Sequence, residues 1–383
     1  PCPPHTRATA PARHPVRALA WPLCTLGAVK VLLSGTAGGS GWPEPRCRCA
    51  SCAGLPAGHR RPFELIVDGA IRFPFTRLPD GYALHAGGHG LTGPDGSALL
   101  CLPPGSPAPG VKPHPDGPAR YDMVLIDLLD RPERLGELRR AGLADDATLV
   151  VAIGLDHRVR SEEELARRLK LWGAHAVSDG TELEPPPSGR ARTSGTHAAS
   201  TRVSSPERAQ GQVGRALLLG GSRSGKSAEA ELRLAAEPYV TYVATGPGGE
   251  GDAEWAARVR AHQVRRPAHW GTVETSDLAG TIRRATTPLL IDGLGTWLAA
   301  VFDDHGAWEG DRAPVTARCD ELVAAWRQTP GRIVAVSDEV GMGVVPMTAS
   351  GRAFRDALGR LNERLAAESE YVALVVAGRL LEL

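Results

Sequence analysis

Leu219-Gly220-Gly221-Ser222-Arg223-Ser224-Gly225-Lys226-Ser227 carries an apolar strand straight into a G-x-x-x-x-G-K-S loop and then into a helix-forming stretch. That pattern is a nucleotide-phosphate cradle. Glycines at 220, 221 and 225 permit the close backbone approach that lets successive N–H groups converge on phosphate oxygens. Lys226 adds a mobile positive charge for the β- and γ-phosphates, and the Ser227 hydroxyl is suited to ligate Mg²⁺. Asp292 closes the apolar run Leu289-Leu290-Ile291, where an acid can hold the same ion or its water; the bland alternative is a helix cap. Thr245 and Gly246 follow a second strand and face the same crevice. Arg258 and His262 lie four apart on one helix face, and an unprotonated imidazole can attack phosphorus. An isolated helical histidine is more commonly just exposed, and the helix alone leaves both readings open.

A second chemical cluster lies far upstream. Cys47, Cys49 and Cys52 crowd together within a set of seven cysteines. An odd, clustered set argues for metal over a disulfide framework. Three thiolates at that spacing can wrap one tetrahedral ion and leave a corner for a ligand supplied by the fold.

The elements that must position these residues fall into two halves. At 383 residues the chain is long for one core, and 42% hydrophobic with 23% charged content is that of a globular protein. A net charge of +1 and 5% aromatics give no argument for nucleic acid, and no apolar run reaches the roughly 20 residues of a membrane span. Residues 1–28 read as a disordered leader of a cytoplasmic protein, since Pro22 and Lys30 interrupt the one stretch that resembles an export signal. Residues 29–184 carry strand candidates at 29–33, 63–67, 83–85, 98–102, 123–126 and 148–153 and a helix at 162–172. The Pro/Ser/Thr-rich stretch 185–213 reads as a flexible linker. Beyond it, strands at 216–219, 239–244, 289–291, 333–336 and 372–376 alternate with helices from about 227 and at 252–263, 319–328 and 350–367. Such alternation predicts an α/β domain with a mostly parallel sheet over 214–383 and a ligand crevice at the strands' carboxyl ends.

These residues carry a resemblance. From Ala216 to Leu383 the chain resembles the bifunctional adenosylcobinamide kinase/adenosylcobinamide-phosphate guanylyltransferase family, through Gly-Gly-Ser-Arg-Ser-Gly-Lys-Ser at 220–227, Tyr-Val-Ala-Thr at 242–245, Ala-Ala-Arg-Val-Arg-Ala-His at 256–262, Arg-Pro-Ala-His-Trp at 266–270, Ser-Asp-Glu-Val-Gly-Met-Gly-Val-Val-Pro at 337–346 and Phe-Arg-Asp-Ala-Leu-Gly-Arg-Leu-Asn at 354–362. The resemblance implies a P-loop NTPase-type fold and two reactions. Adenosylcobinamide is phosphorylated by ATP or GTP with Mg²⁺. GMP then passes from GTP to a histidine, aligned with His262, and on to adenosylcobinamide phosphate. It further implies nucleotide contacts at Gly220 to Ser227, Thr245, Gly246, Pro247, Gln263, Val264, Arg265, Arg266, Glu274 and Asp292, Mg²⁺ at Ser227 and Asp292, and a homotrimer. Arg258 and Arg266 are candidate clamps, and His269 is the rival nucleophile. The family usually has Asn where this chain has Asp338, and the extra negative charge there is expected to weaken triphosphate binding. A reading from another class is a P-loop GTP-binding switch without nucleotidyl transfer.

The N-terminal half, from Gly35-Thr36-Ala37-Gly38-Gly39-Ser40-Gly41-Trp42-Pro43 into Cys47-x-Cys49-x-x-Cys52, is similar to metallo-β-lactamase-fold phosphodiesterases. That resemblance implies an αββα-type domain and a structural Zn²⁺ on Cys47, Cys49, Cys52 and His157. It also implies a catalytic H-x-H-x-D-H run, which this sequence lacks. Asp127 matches the bridging carboxylate, Gly154 stands where a histidine ligand is expected, and His85, His89 and His114 lack the spacing. The half therefore reads as a truncated, noncatalytic hydrolase-like domain, the alternative being an active metal-dependent phosphodiesterase.

Overall fold

A computed structural model describes residues 28–107, 117–186, 214–246, 260, 264 and 266–383. In the N-terminal half, β1 (Val31–Gly35), β2 (Glu64–Val67), β3 (Ile71–Arg72) and β9 (Thr181–Leu183) form an antiparallel sheet in the order β3-β2-β1-β9. A second sheet runs β4 (Ala83–His85), β5 (Gly90–Thr92), β6 (Ala98–Leu102), β7 (Met123–Ile126) and β8 (Leu149–Ala152). Side chains alternate strictly along its inner strands. Leu99, Cys101, Met123, Leu125, Leu149 and Val151 pack against Val31, Leu33, Leu65 and Val67 of the first sheet. Leu100, Leu102, Val124, Ile126, Val150 and Ala152 face the helix layer of α2 (Glu133–Arg140) and α3 (Glu162–Trp172). Besides the four-residue α1 (Ala50–Ala53), these are the α-helices described here.

The expected four-layer αββα arrangement is thus corrected to three layers among the described residues. The outer face of the first sheet presents the Lys30–Glu182 and Arg72–Glu64 ion pairs to solvent around the apolar pair Leu32 and Ile66, too small a stripe to seat a second helix layer.

The C-terminal half is a seven-stranded sheet, β12-β11-β13-β14-β10-β15-β16, parallel except for the antiparallel pair at β16. Its strands are β10 (Arg215–Gly220), β11 (Thr241–Ala244), β12 (Gly271–Glu274), β13 (Leu289–Asp292), β14 (Ile333–Asp338), β15 (Tyr371–Val376) and β16 (Arg379–Glu382). On one face Leu217, Leu219, Val243, Ile291 and Ala335 pack under α5 (Leu278–Arg284), α6 (Leu294–Asp304), α7 (Ala313–Gln328) and α8 (Ala349–Ala367). On the other, Leu218, Tyr242, Leu290, Val334 and Val336 pack with Ala230 and Leu234 of α4 (Lys226–Leu234). This parity decides the site. Asp292 continues the 290 phase and projects to the α4 side, while Asp338, ending β14, has one carboxylate oxygen on Lys226 at the start of α4 and the other beside Gly295 of α6; both stand at the carboxyl ends of their strands.

The halves meet through helices. Trp172 Nε1 donates to the Leu232 carbonyl at 2.8 Å and Arg139 Nη1 to the Ala236 carbonyl at 2.9 Å. The Leu232 carbonyl lies in the last turn of α4, where it also accepts from the Ala235 N–H at 3.3 Å, and the Ala236 carbonyl lies just beyond the helix. Arg167 pairs with Glu229 in the first turn of α4, at 2.7 and 3.3 Å, and Ala236 is buried in the N-terminal half's helix-layer core.

Candidate functional site

The loop after β10 turns through Arg223 at φ 57° and Gly225 at φ 99° before α4 begins at Lys226. At Gly220 a Cβ would lie 2.6 Å from both the Ser224 hydroxyl and the Val375 carbonyl, so the loop closes only around a residue without one. The Gly378 N–H donates to Ser224 O at 2.7 Å, pinning the loop from the β15–β16 turn. Ser224 Oγ is buried with no partner.

Around this loop the predicted residues converge. Lys226 Nζ donates to the Gly221 carbonyl at 3.0 Å and pairs with Asp338 Oδ1 at 2.9 Å. Ser227 Oγ donates to Asp292 Oδ1 at 3.2 Å. Two hard oxygens at the start of the phosphate-loop helix suit a cation such as Mg²⁺, which takes one or two protein oxygens and fills the rest of its shell with phosphate and water. Thr245 Oγ1, buried, sits 2.7 Å from the Gly293 carbonyl and 3.0 Å from Thr296 Oγ1, tying the end of β11 to the start of α6. Glu274 ends β12 at the same carboxyl edge, exposed, in the row next to Ala244 and Asp292. Gly246 follows Thr245 at that edge, and Val264 is exposed.

His262, Arg258, Pro247, Gln263 and Arg265 lie outside the described residues. His269 does not share the site. It precedes β12 at the amino edge of the sheet, with Nε2 3.2 Å from the Glu237 carbonyl and its own carbonyl accepting from Arg140 of the other half. A nucleophile there would face away from the phosphate loop.

Two residues had no role assigned from the sequence. Tyr242 O–H donates to Asp292 Oδ2 at 2.6 Å, and the Arg266 guanidinium lies 3.4 Å from the centre of its ring. Burial and the adjacent Asp292 carboxylate push the Tyr242 phenol well above its ordinary pKa, so it is a neutral donor. Asn362 on α8 donates to the Asp338 carbonyl at 3.1 Å and accepts from the buried Ser337 hydroxyl at 2.6 Å, fixing the end of β14. The signal available for Tyr242 was phase: it shares the 290/292 side of the sheet.

In the N-terminal half, Cys47, Cys49, Cys52 and His157 bring one ligand atom each within 4.8 Å of one another. His157 Nδ1 is 3.5 Å from the sulfurs of both Cys47 and Cys52. A tetrahedral Zn²⁺ with its usual bond lengths would set that nitrogen–sulfur edge at about 3.6 Å, so the donor set and spacing fit the ion. The Cys52 N–H holds the Cys49 thiol below its ordinary pKa, while burial pushes Cys52 up to about 11. Asp127, buried, is bracketed by the Arg158 guanidinium at 3.2 and 3.3 Å, and Arg158 also binds Asp156 and the Gly154 carbonyl. At Gly154, with φ 70°, a Cβ would fall 2.5 Å from the Pro104 ring, so that position has no room for a histidine. His85 is held by Tyr121 and Thr92, and His89 by the Cys101 carbonyl. His114 lies outside the described residues.

Comparison with known proteins adds to this geometry. Residues 216–383 match the family model described as cobinamide kinase/cobinamide phosphate guanyltransferase. The chain is 42% identical over 172 residues to the bifunctional adenosylcobalamin biosynthesis protein CobP of Pseudomonas aeruginosa, covering 43% of this chain and 94% of that protein. It is 37% identical over 177 residues to CobU of Escherichia coli and 38% over 179 residues to CobU of Salmonella typhimurium, in each case 42% of this chain and 95% of the relative. These relatives therefore align almost whole with well under half of this chain. A solved ATPase of a type III secretion system aligns with 42% of this chain and 51% of its own at 14% identity and a TM-score of 0.30, which carries no argument.

Proposed function

Since the chain belongs, through residues 216–383, to the cobinamide kinase/cobinamide phosphate guanyltransferase family, we propose that this half phosphorylates adenosylcobinamide and then guanylylates the product. The observation that carries the reading is the convergence of Lys226, Ser227 and Asp292 at the carboxyl edge of the parallel sheet. In the first reaction the substrate hydroxyl oxygen bonds to the γ-phosphorus of ATP or GTP, the bond to the β-phosphate oxygen breaks, and the hydroxyl proton is released. The N–H groups of residues 220–227 and the Lys226 ammonium stabilise charge on the transferring phosphate. Mg²⁺, held by Ser227 and Asp292, would neutralise phosphate charge. In the second reaction a nitrogen of His262 bonds to the α-phosphorus of GTP as pyrophosphate leaves. The phosphate of adenosylcobinamide phosphate then takes GMP, giving adenosyl-GDP-cobinamide and freeing the imidazole. Splitting one hard transfer into two keeps GMP activated for the second acceptor. Arg266, Glu274, Thr245 and Gly246 border the nucleotide in this reading, with Pro247, Gln263, Val264 and Arg265 supplied by the histidine-bearing segment.

Intact-protein mass after incubation with GTP and Mg²⁺ tests it. The expected result is an acid-labile GMP adduct that is absent from His262→Ala. GTP binding without any adduct would leave only a nucleotide-binding switch.

For the N-terminal half the reading is a metallo-β-lactamase-like domain that keeps a structural Zn²⁺ on Cys47, Cys49, Cys52 and His157 and has no hydrolase centre. Arg158 neutralising Asp127 and the closed space at Gly154 support the loss of that centre. Hydrolysis of a chromogenic phosphodiester with added Mn²⁺ would refute it. A trimeric assembly follows from the resemblance, and a cytoplasmic location from the interrupted export-like stretch at the start of the sequence.

A further inference from the structure

The Asp292 carboxylate meets different groups at its two oxygens. Oδ1 accepts from Ser227 Oγ at 3.2 Å, whereas Oδ2 accepts from the Tyr242 hydroxyl at 2.6 Å. Tyr242 belongs to the neighbouring strand, where Ala244 stands in register with Asp292, so the phenol reaches the carboxylate diagonally. The ring is 4% exposed and packs in the core beneath α4. The guanidinium of Arg266 lies 3.4 Å from the ring centre and donates to Thr272 of β12 at 3.3 Å. Ring and hydroxyl are therefore held by separate contacts, and the hydroxyl's contact is a charge-assisted bond to a carboxylate, among the stronger classes of hydrogen bond.

Free rotation of an aspartate about its last torsion would let either oxygen, or both, meet a cation. The bond from Tyr242 removes that freedom. We propose that Tyr242 is a positioning residue, locking Asp292 so that Oδ1 alone is presented, beside Ser227 Oγ, to the divalent cation that accompanies the nucleotide. The inference rests on the proposed reading of Ser227 and Asp292 as the Mg²⁺ ligands. It concerns the arrangement of a ligand by a residue that touches neither nucleotide nor reacting atoms, in the manner of groups that orient metal ligands from behind.

Tyr242→Phe deletes the hydroxyl and keeps the ring that Arg266 covers. The measurement is binding of a fluorescent GTP analogue across a Mg²⁺ titration, together with Mn²⁺ binding followed by electron paramagnetic resonance and the thermal midpoint of each protein. The variant is expected to need about ten-fold more Mg²⁺ for half-maximal nucleotide binding, in line with loss of a ligand-orienting partner. Saturating Mg²⁺ should restore wild-type affinity, with the thermal midpoint within a few degrees of wild type. Placing Asp292→Asn in both backgrounds should erase the difference between Tyr and Phe. An unchanged Mg²⁺ requirement overturns the inference, as does weakened binding that Mg²⁺ cannot restore in a protein of lowered midpoint, which would make Tyr242 a packing residue only. If wild-type nucleotide binding ignores Mg²⁺, the metal assignment falls with it; the GMP adduct on His262 judges the enzymatic reading separately.

Discussion

Lys226 pairs with Asp338, whose Oδ1 stands 2.9 Å from the ammonium. Asp338 is half-exposed and ends β14 in register with Gly220, the first residue of the phosphate loop. On the proposed reading, a triphosphate competes with this carboxylate for the lysine and then sits beside its charge. For a solvent-screened pair the cost is about 1 kcal/mol, or roughly five-fold in affinity. Asp338→Asn keeps shape and removes charge, so nucleotide should bind about five-fold more tightly, most visibly at low salt. Isothermal titration of wild type and variant decides this, and equal or weaker binding by the variant would show that the pair does not compete with phosphate. The residue types of the phosphate loop were readable because the chemistry demands glycine, lysine and serine at fixed spacing. The partner of Lys226 was not readable, since strand order alone brings β14 beside β10.

Elements show where local pattern suffices. The strands at 83–85, 98–102 and 123–126 and the helix at 162–172 have the bounds their hydrophobic phase predicts. Ser161 caps α3 by accepting from the Glu164 N–H, and Gly173 ends it at φ 64°. By contrast α2, α5 and α6 and the exposed strand β12 escaped notice. Each is short or begins without a strong cap, and only packing against a neighbour makes it regular. Gly136 of α2 illustrates that dependence. A Cβ there would come within 2.7 Å of the Glu237 carbonyl in the other half. Helix propensity favours Gly136→Ala by about 1 kcal/mol, but overpacking against rigid backbone costs about 1–3 kcal/mol. Net destabilisation is expected. Gly359→Ala in α8, where nothing lies within 4 Å of the new methyl, is the control and should stabilise by several tenths of a kcal/mol. Urea unfolding of the two variants distinguishes the cases; a stabilised Gly136→Ala would mean that the halves part easily.

For the whole molecule, the relatives align over 94% and 95% of their own length with 43% and 42% of this chain, and residues 31–183 build a second folded half beside the family region. It is docked. Trp172, Arg139 and Arg167 grip the helix that starts with Lys226, and the core behind Trp172 also holds Cys52. If Zn²⁺ occupies the Cys₃His cluster, purified protein should contain about one equivalent by elemental analysis, and a strong chelator should lower the thermal midpoint. Protein free of metal, with a midpoint that chelator leaves unmoved, would reduce the cluster to four neighbouring side chains. Spacing alone made the G-x-x-x-x-G-K-S loop and the crowded cysteines legible, because each is a local demand on residue type. It could not announce that Tyr242 grips Asp292, that Asp338 neutralises Lys226, or that Trp172 closes the end of α4. Those contacts join residues far apart in the chain, and they exist only once strand order, side-chain parity and the docking of the two halves have chosen which surfaces meet.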